Sequence, residues 1–166
     1  TGTDFLADVC HRWEGATAAA EAAGIRTVHL RTGIVLDAHG GALAKQLPAF
    51  KLGLGAKAGR GTQWFSWISL HDEVAAIAHL LTADAVTGPV NLTAPNPVTN
   101  AEFTRALGQA LGRPTFLTLP RALGHLPFGV GPLVASLLFT SARVVPRELE
   151  GSGFTFAHPE LAPALP

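Results

Sequence analysis

The chain has 166 residues, enough for one ordinary domain with a sizeable core. Apolar residues make up 48% and charged ones 14%, with twelve basic against twelve acidic side chains, which excludes disorder and any whole-chain field that would draw in nucleic acid or an anionic membrane. Cys10 is the single cysteine, so an internal disulfide is excluded and a reducing, cytoplasmic setting is expected.

Phe5, Val9, Trp13, Thr17 and Ala20 recur at helical intervals, predicting a helix from Asp4 to Ala23 with Asp4 as N-cap and Gly24 as the stop. "IRTVHLRTGIVL", residues 25–36, is rich in β-branched side chains and predicts a buried strand of an α/β layer. "DAHGG" begins a loop, a helix is expected over 41–52, and "GLGAKAGRGTQ", 53–63, reads as a turn-rich loop. Its G-L-G-A-K-A-G run imitates a dinucleotide fingerprint, but the strand before and the helix after that such a fingerprint needs are missing.

In "SWISLHDEVAAIAHLL", residues 66–81, a short strand-like run (Trp67, Ile68, Leu70) breaks at His71-Asp72, and apolar residues then fall at Val74, Ile77, Ala78 and Leu81. This predicts a helix over 73–81 with Asp72 as its N-cap. Trp64, Phe65 and Trp67, three aromatics within four residues, serve either core packing or the wall of a ligand pocket, and the residues alone weigh the two evenly. "TGPVNLTAP" (87–95) is a strand between turns. "TNAEFTRALGQALG" is a helix opened by a capping box of Thr99 and Glu102 and stopped by Gly112. "PTFLTLP" (114–120) is a further strand, and the apolar run at 126–139, too short and too broken by proline and glycine to span a bilayer, is expected as a buried or partner-covered helix. Strands separated by helices imply α/β architecture.

The seven histidines show no H-x-x-x-H or H-E-x-x-H spacing, so no metal is expected. Cys10 has only His11 beside it, and a packing role is expected. Ser66 and Ser69 lie near His71 and Asp72, but no G-x-S-x-G turn presents a serine, so a hydrolase is not expected. The chain begins at Thr1 and contains no methionine, the pattern of a fragment or a processed chain.

The ordered blocks "DFLADVCHRWE", "IRTVHLRTGIVL", "GGAL", "GRGTQWFSWISLHDEVAAI", "GPVNLTAPNPVTNAEFTRALGQALGRP" and "RVVPRELEGSGFTF" resemble the C-terminal half of an extended short-chain dehydrogenase/reductase, of the sugar-nucleotide epimerase and dehydratase kind. More narrowly, the chain is similar to the atypical "epimerase family" proteins that end in a C-terminal domain of unknown function. The resemblance implies that residues 1–36 are the end of a Rossmann-like core. Residues 37–166 would be a small α+β substrate lobe with a helical C-terminal cap, 66–81 returning to the core. It implies NAD or NADP as cofactor of the full-length protein, with Gly33, Ile34 and Val35 near the nicotinamide and the substrate among Leu36, Gln63, Trp64, Phe65 and Trp67. The substrate would be a small molecule, a nucleotide sugar being one candidate. The family's phosphate-binding glycine loop lies upstream of the part that matches, so no dinucleotide is expected to bind this segment tightly.

Two departures bear on mechanism. The family's Tyr and Lys, four residues apart on a helix, fall on Leu6 and Cys10 when Glu14 is matched to the acid that follows them, and the chain contains no tyrosine at all. Neither side chain supplies the phenol and ammonium pair that moves the proton beside a hydride transfer. The arginine that clamps a nucleotide diphosphate falls on Phe65, with Arg60 nearby, which makes a less polar ligand, or none, more plausible than a UDP-sugar. The expectation is therefore the substrate-binding half of an NAD(P)-dependent epimerase/dehydratase-like oxidoreductase. Its rival is a non-catalytic NAD(P)-sensing protein. The strand at 25–36, open at its edge, leaves room for a homodimer.

Overall fold

A computed structural model describes residues 5–120 and 140–166; Asp4, expected as an N-cap, and the apolar helix expected at 126–139 lie outside the described residues. In chain order the elements are α1 (Phe5–Gly15), α2 (Ala18–Ala22), β1 (Val28–Thr32), β2 (Ile34–Leu36), α3 (Gly41–Lys51), β3 (Ala56–Ala58), β4 (Trp64–Phe65) and β5 (Trp67–Ser69). They continue with α4 (Leu70–Thr82), β6 (Gly88–Leu92), β7 (Val98–Thr99), α5 (Asn100–Ala110), β8 (Leu117–Leu119), α6 (Arg147–Gly151) and a 3-10 turn at Ala162–Ala164. β1 pairs with β6, β2 with β5 and β3 with β8, all parallel, while β4 and β7 are antiparallel. The α/β expectation holds, and β3 lies inside the segment expected to be wholly loop.

The single helix expected over 4–23 is two. Gly15, a poor helix former, ends the first, and the Thr17 hydroxyl sits between the Glu14 carbonyl and His29 Nε2, 2.8 Å from each. No residue of α1 is buried: Phe5, Val9 and Trp13 face outward, Trp13 with 77% exposure. Cys10 is exposed as well, which corrects the packing role expected for it. An amphipathic face packs only where something covers it, and no described element covers this one. The firm polar link from α1 to the body is a fork in which Arg31 Nε and Nη2 donate to the Glu14 carboxylate at 2.7 and 2.8 Å, holding that carboxyl below its ordinary pKa.

The core is two clusters on opposite sides of β5. Trp67 joins Leu36, Leu43, Leu47, Phe50, Phe103, Leu107 and Leu161, whereas its neighbour Ile68 joins Ala76, Leu80, Val90, Leu92 and Leu149, as the two-residue period of a strand dictates. The capping box of α5 is present, with the Thr99 amide donating to Glu102 at 2.7 Å.

α4 departs from expectation at its start. Its N-cap is Ser69, whose hydroxyl accepts the Asp72 amide at 3.0 Å, so Asp72 stands inside the first turn and is not the cap. Its buried side is Asp72, Glu73, Ala76 and Leu80, while Val74, Ile77 and Leu81 face out. The helix carries two apolar rows, and periodicity does not say which row meets the sheet. At its far end Arg26 donates to the carbonyls of Leu80 and Leu81 at 3.1 and 3.0 Å, satisfying acceptors that the helix leaves open.

Candidate functional site: the strand exchange at Gly33

β1 and β2 form one strand that changes partner at Gly33. The Gly33 amide still donates to Leu92 of β6 at 2.9 Å, whereas the Ile34 amide donates to the Ser66 carbonyl at 2.9 Å, and the strand then runs beside β5. A Cβ on residue 33 would lie 2.9 Å from the Ser66 carbonyl oxygen and 2.9 Å from Thr93 Cγ2. Glycine is required there because three backbones converge. Such a point, where neighbouring parallel strands part at their carboxyl ends, is where open α/β sheets leave a crevice for ligands.

The segment before α6 is stitched to this point. Ser66 Oγ donates to the Ala142 carbonyl at 2.8 Å and accepts the Val144 amide at 3.0 Å, and the Trp64 amide donates to Ser141 Oγ at 3.0 Å. The Arg143 guanidinium therefore lies over the Trp64 indole, 5.2 Å from the ring centroid, a cation–π contact at the surface. Phe65 stacks on Phe103 with ring centroids 4.2 Å apart. Gln63 donates from Nε2 to the Ala58 carbonyl at 3.1 Å. The other two residues expected to line a substrate site lie deeper. Trp67 has 0% exposure, with Nε1 donating to the Asn96 carbonyl at 3.2 Å, and Leu36 is buried in the same cluster. Gln63, Trp64 and Phe65 are thus exposed or half-buried, whereas Leu36 and Trp67 lie in the core.

Two buried polar atoms with no hydrogen-bond partner among the described residues flank the exchange: Thr93 Oγ1, on the residue that crowds Gly33, and Glu73 Oε2. The other oxygen of Glu73 accepts the Thr32 hydroxyl at 2.9 Å. Burial pushes this carboxyl above its ordinary pKa, and the Thr32 bond only partly opposes that. A group whose folded pKa is raised contributes stability that is complete below its unfolded value and lost as pH rises through the folded one. Glu73→Gln is therefore expected to match the parent near pH 4 and to exceed it by about 1 kcal/mol at neutral pH. Thermal melts of the two proteins across that range test this, and a gap that closes with rising pH contradicts it.

Leu6 and Cys10 lie one turn apart on α1, both exposed. Gly33 has no side chain, and Ile34 and Val35 are half-buried apolar residues packed on opposite clusters. A Cβ on Gly61 would meet Ala101 Cβ at 2.8 Å, so this glycine serves helix packing at positive φ.

One polar cluster was invisible in sequence. Asp72, with 1% exposure, accepts the backbone amides of Ala157 and His158, each at 2.9 Å, from the far end of the chain. Burial alone would raise its pKa. The two amides outweigh that with help from His71 and Ser69, and the carboxyl sits below its ordinary value. His158, like Arg143, gave no local signal, because its partners lie more than seventy positions away.

A family model described as a domain of unknown function (DUF1731) matches residues 127–166. An epimerase family protein of Mycobacterium bovis is 47% identical over 99% of this chain and 54% of its own length, so the chain spans about half the length of the curated relatives it matches. The crystal structure of the human epimerase family protein SDR39U1 with NADPH is 40% identical, with a TM-score of 0.78 over 84% of this chain and 47% of that one. A nucleoside-diphosphate sugar epimerase from Corynebacterium glutamicum is 37% identical, with a TM-score of 0.72 over 99% of this chain and 30% of that one. Among the described residues no helix is long and apolar enough to cross a membrane. In sequence and in fold alike, the chain is similar to the epimerase family proteins of the short-chain dehydrogenase/reductase kind.

Proposed function

We propose that this chain is the substrate-binding half of an NAD(P)-dependent, sugar-nucleotide epimerase/dehydratase-like oxidoreductase. The partner exchange at Gly33 carries the reading: it opens the sheet at the carboxyl ends of parallel strands and sets the Trp64 rim beside the opening. Residues 1–36 act as the end of the cofactor-binding core and 37–166 as substrate lobe and cap, with 66–81 returning to the core. Gly33, Ile34 and Val35 bear on the nicotinamide, which when bound supplies the hydride chemistry. Gln63, Trp64 and Phe65 border a small-molecule substrate, and Leu36 and Trp67 hold that rim from the core. Among the described residues β1 pairs only with β6 and nothing covers the apolar side of α1, which favours a homodimer, and a single exposed cysteine suits a cytoplasmic setting.

Leu6 and Cys10 move no proton as a Tyr and Lys pair would, and that observation favours a second reading in which the cofactor is sensed and nothing is turned over. The test is an NADPH titration of the 166-residue chain and of a relative-length protein carrying it, followed by assay of the latter on UDP-sugars and small carbonyl compounds. Saturable binding is expected only in the longer protein. Turnover there selects the oxidoreductase, and tight binding without turnover selects the sensor. Micromolar binding by the short chain alone would put the cofactor site elsewhere.

A further inference from the structure

The fold brings together three side chains whose spacing in sequence gave no metal signal. His71 and Asp72 stand in the first turn of α4, and His158 comes from the C-terminal tail. We propose that they form a binding site for a divalent transition metal, with zinc(II) the best fit. The inference is independent of the cofactor reading.

His71 Nδ1 lies 3.4 Å from Asp72 Oδ1, and His158 Nδ1 lies 3.7 Å from Asp72 Oδ2. One donor atom from each of the three residues falls within 4.8 Å of the others. A tetrahedral ion with bonds of about 2.0–2.1 Å spaces its ligands about 3.3–3.4 Å apart, so small side-chain adjustments close the set. Two imidazoles and one carboxylate suit zinc, nickel or copper and are poor in the oxygen ligands that calcium and magnesium require.

The carboxylate is already aimed. The amides of Ala157 and His158 fix its plane, the kind of outer support that orients a metal ligand. His71 is largely exposed, so its ring turns without displacing the core. Two of the three ligands, His71 and His158, line a groove of about 640 Å³ between α4 and the tail, from which water would complete the coordination. Against binding stands the Ser69 hydroxyl, which lies 3.1 Å from His158 Nδ1 and which the ion must displace. An ion held there ties the start of α4 to the tail, so occupancy stabilises the fold by mass action.

The experiment is calorimetric titration of zinc(II) chloride into metal-free protein at pH 7.5, with cobalt(II) absorption as a report on imidazole coordination and a thermal melt with and without zinc. One equivalent is expected to bind and to raise the melting temperature. His71→Ala and His158→Ala are each expected to weaken binding by about tenfold or more and to remove the thermal shift, while His39→Ala, exposed elsewhere, changes neither. Since the His71 side chain is exposed, its variant folds whatever becomes of the His158 one. Absence of saturable binding below about 100 μM zinc, or parental affinity in the doubly substituted His71→Ala/His158→Ala protein, overturns the proposal.

Discussion

Asp72→Ala is expected to destabilise the fold by about 3–5 kcal/mol, because two backbone amides lose a charged acceptor in a buried place and either stay unpaired or take the tail into water. The second course uncovers Leu161, which the tail contributes to the main cluster. The pH dependence gives the result its signature. A carboxyl whose folded pKa is lowered contributes stability that is present above its unfolded value, about 3.9, and lost as pH falls through the lowered one. The difference between parent and variant is therefore level from neutral pH down to mild acid and shrinks only below it. Urea unfolding at several pH values measures this, and a variant within about 1 kcal/mol of the parent at neutral pH would show that the tail is held by packing alone.

Trp67→Ala is expected to cost about 3–5 kcal/mol and Trp64→Ala less than about 1 kcal/mol, although the two indoles are three residues apart. Trp67 is wholly enclosed by the chain's own atoms, so truncation leaves a large cavity and an unpaired Asn96 carbonyl. Trp64 is partly exposed and packs on the Arg143 guanidinium. If Trp64 borders the substrate as proposed, its variant keeps the parent's melting temperature and weakens ligand binding in the longer protein. Equal losses of stability from both substitutions would make Trp64 a packing residue and remove it from the rim.

Where one residue's chemistry decides a feature, the sequence was enough to find it. Thr99 with Glu102 opens α5, Gly24 at φ +76 ends the run after α2, and the β-branched stretch before Leu36 is a strand. What escaped depends on partners far along the chain. Val74, Ile77 and Leu81 have helical spacing as good as that of the buried Ala76 and Leu80, and only the position of the sheet beneath α4 distinguishes the rows. An acid before a helix reads as a cap, yet Ser69 caps α4 and frees Asp72 to hold residues 157 and 158. The aromatic trio showed itself as a group, but which of the three is buried rests on strand alternation, which begins only once β4 and β5 are known to be separate.

β5 is three residues long and has a different hydrophobic cluster on each side. The two clusters have no residue in common, so the energies of substitutions on the Trp67 side and on the Ile68 side add. The cluster around Trp67 and Phe103 is thereby free to drift in sequence while the cluster behind Ile68 keeps the β1–β6 pair intact.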